Sequence, residues 1–295
     1  MTRPLPRRSM LRRPLPALAL LAVAGVAFTG CASAAPASTV AADCTPADEG
    51  LTTFTAGTLT VGVPENPPYT QTDGSGGASG IEIDIIEKLA DAECLAVSYV
   101  PITYANGIPM ITEQKKTDII TGGWYVTPTR AEQVGFTTPT MYDTMGVVSK
   151  AGIDTVDELE TVGTVGTGTG FSWNEELAPL LGSTLQQYPG TVEMKQDLVA
   201  GRIQAALDGY AVAVAAYADT DYKVEPIQAD PRVSITQSKP LIAFPVSKDN
   251  SALSDAFSAL IDEYRTDGTL ADLLAAYDLP ADLLVPADAA ATSIR

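Results

Sequence analysis

The chain has 295 residues, 36 of them acidic and 18 basic, for a formal net charge of −18; nucleic acid is excluded as an expected partner, because a polyanion is repelled by such a surface. It contains no histidine, which excludes Ser-His-Asp and Cys-His nucleophile systems and the HExxH zinc helix. There is no spaced Asp/Asn/Gly calcium loop either, so neither a metal nor another cofactor is expected.

Residues 1–30 carry Arg3, Arg7, Arg8, Arg12 and Arg13, no acidic residue, an apolar run from Ala17 to Phe28, and then Thr29-Gly30-Cys31. This is the pattern of a secretory signal peptide. The run is short for a bilayer span, and small residues leading into a cysteine resemble a bacterial lipoprotein box. Cys31 is therefore expected to be the lipidated N-terminus of an extracytoplasmic, membrane-anchored protein, with ordinary cleavage as the alternative. Arg7-Arg8-Ser9-Met10-Leu11 leaves general and twin-arginine export both open. Cleavage removes five of the 18 basic residues and no acidic one, leaving 13 − 36 = −23. Residues 31–56, rich in Ala, Ser, Thr and Pro, read as a flexible tether. With Cys31 assigned to lipid, Cys44 and Cys94 are expected to pair rather than persist as two thiols. The loop so closed, of about fifty residues, is worth roughly 4 kcal/mol on the chain-entropy model.

Beyond the tether, Leu59–Val63 is a predicted strand, ended by Pro64 and the Pro67-Pro68 pair. Ile81, Ile85, Ile86, Leu89 and Ala90 share one face of a helix over 81–94, in which Asp84 reads as a cap. A strand over 97–102 and a helix over 108–116 follow. Strands are then predicted at 145–149, 162–165, 184–188, 205–208 and 241–246. Helices are predicted from a Ser172/Glu175 capping box, at 194–200, at 211–218, over 251–266 and over 270–277; the last residues, 285–295, read as a disordered tail. Alternating strands and helices point to an α/β fold, with ligands beyond the carboxyl ends of the strands.

The run from Thr117 to Arg130 (TDIITGGWYVTPTR) carries the most chemistry. A β-branched burst opens into two glycines that let another molecule approach the main chain. Thr-Pro-Thr-Arg then starts a helix, where the planar fork of Arg130 can grip a carboxylate. The plainer reading is a strand, a turn and a surface arginine. The glycines of 163–170 do not fit GxGxxG and no Walker lysine follows, so they are read as main-chain N–H groups facing the cleft rather than as a nucleotide loop. Glu65, Asp143, Asp197 and Asp208 are the carboxylates placed near strand ends, and Tyr69, Trp124, Tyr125, Tyr142 and Trp173 the aromatics available to stack on a ligand.

With these segments in view, residues 57–279 resemble the family 3 extracellular solute-binding proteins, the receptors of polar amino-acid ABC importers. The resemblance is carried by Leu59-Thr-Val-Gly-Val63 with Pro67-Pro-Tyr69, Gly80-Ile-Glu-Ile-Asp84, Asp118 to Arg130, Gly201-Arg202-Ile203 to Asp208, and Asp267-Gly-Thr-Leu270. It implies a two-lobed periplasmic-binding-protein-like fold of type II. The first lobe would comprise 57–141 plus 242–284 and the second 142–241, joined by crossovers near 140–145 and 239–242. It gives Arg130 the ligand carboxylate, helped by Gly123, Trp124, Tyr125 and Thr127, with Glu65 and Tyr69 on the first wall and Thr169 and Asp208 on the second. Asn66 stands where a stacking aromatic is common, and Gly209 where the family's ammonium-binding aspartate usually falls, so the amine side of the ligand is open. The implied function is a monomeric binding protein for a small carboxylate-bearing solute, an amino acid or a derivative, working with a permease and an ATPase. The alternative is an exported, dehydratase-like enzyme on the same scaffold, with Glu65 and Asp208 as acid and base.

Overall fold

The computed structural model describes residues 40–287; the expected signal peptide, the lipidated Cys31 and most of the tail lie outside them. Two five-stranded sheets organise the chain. In the first, Thr58–Val63 pairs in parallel with both Ala96–Pro101 and Ile119–Ile120, and Pro245–Val246 joins antiparallel between Ile119–Ile120 and Gly135–Phe136. In the second, Val165–Gly168 is flanked in parallel by Leu185–Tyr188 and Ala205–Gly209, and Met145–Ser149 and Lys223–Pro226 extend the sheet antiparallel. This is an α/β fold of two lobes.

Alternation and helical spacing account for the packing. Leu59, Val61 and Val63 are buried on the first sheet, against Ile81, Ile85, Ile86 and Leu89 of the Ile81–Ala92 helix. The Ser251–Thr266 helix brings Leu253, Phe257 and Ile261 to the same core. Such fully buried aliphatic side chains each contribute about 1.5–3 kcal/mol. Two segments cross between the lobes and pair with each other: Met141 opposite Ile242 and Tyr142 opposite Leu241.

Several expectations are corrected. The second helix spans Tyr104–Thr112, earlier than predicted, because Thr103 and Asn106 form a reciprocal capping box. A helix at Val156–Thr161, capped by Thr155 and Glu158, stands where only loop was foreseen. The Ser172/Glu175 box does not form: the helix starts at Asn174 with Trp173 as its cap residue. Asp84 does not cap its helix but accepts the Tyr277 hydroxyl at 2.9 Å, tying that helix to the C-terminal one. The 241–246 strand is two short strands in different sheets.

The stretch assigned to the tether is held to the first lobe from Cys44 onward. Cys44 is bonded to Cys94, with Cα atoms 5.8 Å apart. The Ala47 N–H donates to Ala92 O at 3.0 Å, and the Phe54 N–H to Asp118 Oδ1 at 2.7 Å. The physical reason is that the bridge and the buried Asp118 carboxylate supply fixed partners that composition does not reveal.

Candidate ligand site at the crossover between the lobes

Where the carboxyl ends of the two sheets approach the crossovers lies a small cavity of about 30 Å³, room for about one water molecule. Arg130 supplies its positive charge. The Pro128–Gln133 helix is short, its start fixed by Pro128 and by the Thr127 hydroxyl, which accepts the Arg130 N–H at 3.3 Å. That geometry turns the Arg130 side chain inward, where it is only 8% exposed. Its Nη1 donates to Tyr125 O at 3.0 Å and its Nη2 to Gly170 O, on the other lobe, at 3.3 Å. The guanidinium lies 4.7 Å from the Trp124 ring centroid, a cation–π contact. Among the described residues no carboxylate forms an ion pair with it. Burial pushes its pKa down to about 10, so it stays charged at neutral pH.

Two carboxylates line the same cavity, Asp143 and Asp208, 3% and 1% exposed. Asp143 sits on the first crossover and accepts the Tyr125 hydroxyl at 2.9 Å. Asp208, at the end of Ala205–Gly209, accepts the Thr191 hydroxyl and the Gly209 N–H. Behind the loop, Glu82 accepts the N–H groups of Gly122 and Gly123. Burial disfavours the ionised form of each: Asp143 is raised to about 6, and Asp208 and Glu82 to about 7. Burial also raises the phenols of Tyr69, Tyr104 and Tyr125 well above the ordinary tyrosine range.

Rings close the cavity. Tyr104 of the first lobe meets Phe171 of the second edge-on at 5.1 Å, and Phe171 meets Trp173 at 5.0 Å. Two wider openings flank the cavity, of about 280 and 600 Å³, and Tyr104 and Phe171 line both of them as well. This pair therefore separates the interior from either mouth. Gly170 permits the approach: a Cβ there would stand 3.0 Å from the backbone of Tyr104 and Ala105.

Of the residues singled out in the sequence, Arg130, Gly123, Tyr125, Tyr69, Asp143, Trp173 and Asp208 come together around the cavity. Trp124 stands behind Arg130, with its indole N–H donating to Thr121 O at 2.8 Å. Thr127 lines the larger mouth. Glu65 is exposed at the smaller one, where it accepts the Thr72 N–H at 2.9 Å. Thr169 lines none of these spaces; its N–H donates to Tyr188 O at 2.8 Å. Asp197 pairs with Arg202 away from the site. Tyr104 and Phe171 were missed, although each lies three residues past the carboxyl end of a parallel strand, which is a usable signal.

The family model of the bacterial extracellular solute-binding proteins, family 3, matches residues 59–279. No curated protein matches the sequence. Among solved structures the chain is similar to an ancestral arginine-binding protein bound to arginine, at 24% identity and TM-score 0.66, covering 75% of this chain and 98% of that one. It is similar also to a substrate-binding protein of an ABC uptake transporter from Streptococcus pneumoniae with bound histidine, at 20% identity and TM-score 0.67, covering 78% and 95%. A third is an ancestral amino acid-binding protein described as a precursor of cyclohexadienyl dehydratase, at 24% identity and TM-score 0.66, covering 75% and 95%.

Proposed function

The chain belongs to the family 3 bacterial extracellular solute-binding proteins, and from that premise we propose that it captures an amino acid or close derivative and delivers it to an ABC importer. The observation that carries this reading is Arg130: a guanidinium buried at the crossover, without a carboxylate partner among the described residues, facing buried oxygen acceptors across a cavity. A buried charge is strongly penalised unless paired. A ligand carboxylate supplies the pair, and the fork of Arg130 accommodates two oxygens. The bound solutes of similar structures, arginine and histidine, are of this zwitterionic class.

A cavity of about 30 Å³ does not admit an amino acid while the lobes are together. Binding proceeds by parting and reclosing of the lobes, with the Arg130–Gly170 bond and the Tyr104–Phe171 contact made only on closure. The ligand then shifts the population toward the closed state by contacts that the open state lacks. In this reading Cys31 carries a lipid, residues before the folded part tether the protein to the outer face of the cytoplasmic membrane, and the partners are a permease and an ATPase. Among the described residues no helix is long and apolar enough to cross a membrane.

Thermal-shift screening of the twenty standard L-amino acids, followed by calorimetry of the strongest, tests the proposal. A bound ligand raises the midpoint by mass action; flat responses throughout count against it. The enzymatic alternative draws on the dehydratase precursor among similar structures and on Asp208, raised to about 7 in the cavity. Its other nominee, Glu65, is exposed at the smaller mouth, so the pair named from the sequence, Glu65 and Asp208, does not face one space. Recovery of the bound compound intact after prolonged incubation distinguishes a receptor from an enzyme.

A further inference from the structure

The cavity has carboxylates to spare. Arg130 answers to a ligand carboxylate, which leaves Asp143 and Asp208 buried with no cation of the protein beside them among the described residues. The two differ in which groups reach their oxygens. Asp208 Oδ2 takes the Thr191 hydroxyl and Oδ1 the adjacent Gly209 N–H at 2.9 Å. Asp143 Oδ2 takes the Tyr125 hydroxyl at 2.9 Å and Oδ1 the Ala211 N–H at 3.4 Å, and the Thr144 N–H also serves this carboxylate. Asp143 also occupies ground vacated by a missing side chain: a Cβ on Gly209 would lie 2.7 Å from its Oδ2. A carboxylate carried on the crossover thus fills the place that a side chain at 209 would otherwise take.

A second observation is independent of these acids. Asn66, 4% exposed, lines the cavity, and its Oδ1 has no hydrogen-bond partner. Its Nδ2 donates to Gly122 O at 3.0 Å, which leaves Oδ1 as the unpaired end of the amide. Tyr69 lines the same space, with its hydroxyl beside Asp143. An unmet buried acceptor is costly. An ammonium group offers three N–H donors and one positive charge, which is what an unpaired carboxylate beside an unmet amide oxygen lacks.

We propose that Asp143 is the carboxylate that receives the ligand's α-ammonium group, with Asn66 Oδ1 as the second acceptor. The inference rests on the amino-acid reading above. It places the ligand with its carboxylate on Arg130 and its amine against the first crossover, so recognition of the amine and closure involve the same segment. The Asp143 N–H donates to Pro240 O on the second crossover at 3.0 Å, and its carboxylate bonds to Tyr125 of one lobe and Ala211 of the other.

The test uses the tightest-binding of the twenty standard L-amino acids and its analogue with the α-amine replaced by hydrogen, measured by calorimetry on the full folded protein. The wild-type protein is expected to prefer the amine-bearing ligand by about 30-fold or more, and Asp143→Asn to lower that preference at least about tenfold. Gly209→Asp alone crowds a second carboxylate against Asp143 and abolishes binding. The double variant Asp143→Ala/Gly209→Asp returns the carboxylate to the cavity and restores at least about tenfold of the preference. Retention of the wild-type preference in Asp143→Asn overturns the assignment, as does an equal loss for both ligands, which marks a structural role. If the single variants fail to fold, a folded double variant without preference overturns it. Failure of every amino acid to bind the wild-type protein overturns the amino-acid reading itself, and this assignment with it.

Discussion

Arg130→Ala removes the one buried cation that faces the cavity among the described residues. The loss has three parts: the fork that meets the ligand carboxylate, the inter-lobe bond to Gly170 O at 3.3 Å, and the stacking over Trp124 at 4.7 Å. Truncating one member of a buried, hydrogen-bonded charge pair costs about 2–5 kcal/mol of binding, or roughly 30- to 5,000-fold in Kd. Folding stability should move far less, because the ligand-free protein is relieved of an uncompensated buried charge while two carbonyl oxygens lose their donors. Arg130→Lys should fall between, since the charge survives and the planar fork does not. Calorimetry with the amino acid found by screening, paired with thermal unfolding of ligand-free samples, separates the two effects. An unchanged Kd in Arg130→Ala would refute the reasoning, and so would a loss of binding fully explained by unfolding.

Phe171→Ala removes the second lobe's half of the ring pair that closes the interior; an aromatic pair of this kind is worth about 0.5–1.5 kcal/mol beyond its area, so ligand release in stopped-flow should quicken by about three- to tenfold with little change in association. The raised carboxyls set a pH dependence for the ligand-free protein: their folded-state pKa values of about 6 and 7 lie above the ordinary 3.8 and 4.5, so their contribution to stability is present at low pH and lost as pH rises through 6 to 7. Unfolding free energy should fall between pH 5.5 and pH 8 by on the order of 1–2 kcal/mol per group; a denaturation series showing a flat or rising profile over that range would contradict this. Replacing Cys44 and Cys94 together by serine should lower stability by about 4 kcal/mol, the loop entropy of a 50-residue separation, and leave ligand affinity within about twofold, because the bridge lies outside the cavity.

The sequence by itself determined the parts that depend on local pattern. Alternation identified Leu59–Val63, an apolar run ahead of Gly209 identified Ala205–Asp208, and helical spacing identified Ser251–Thr266. Thr-Pro-Thr ahead of Arg130 marked a helix start, and cysteine counting marked Cys44 with Cys94. The rule that ligands sit beyond strand ends pointed to the 64–69 and 122–130 loops, and the family resemblance set Asp208 on the wall opposite them. What it left undecided concerns direction and distance. Neighbours in sequence separate in space when successive side chains turn to different faces, as Glu65, exposed at a mouth, parts from the buried Asn66, and Trp124, behind the arginine, parts from Tyr125, beside the cavity. Residues far apart in sequence meet by chain crossing: Tyr104 touches Phe171 from the other lobe, and Asp143 fills the space that Gly209 leaves open. No periodicity encodes such meetings, because they depend on how the two crossovers set one sheet against the other. Arg130 was legible because its own neighbours orient it, whereas the acceptors opposite it, Asn66, Asp143 and Asp208, come from three separate segments and exist as a site only in the folded chain.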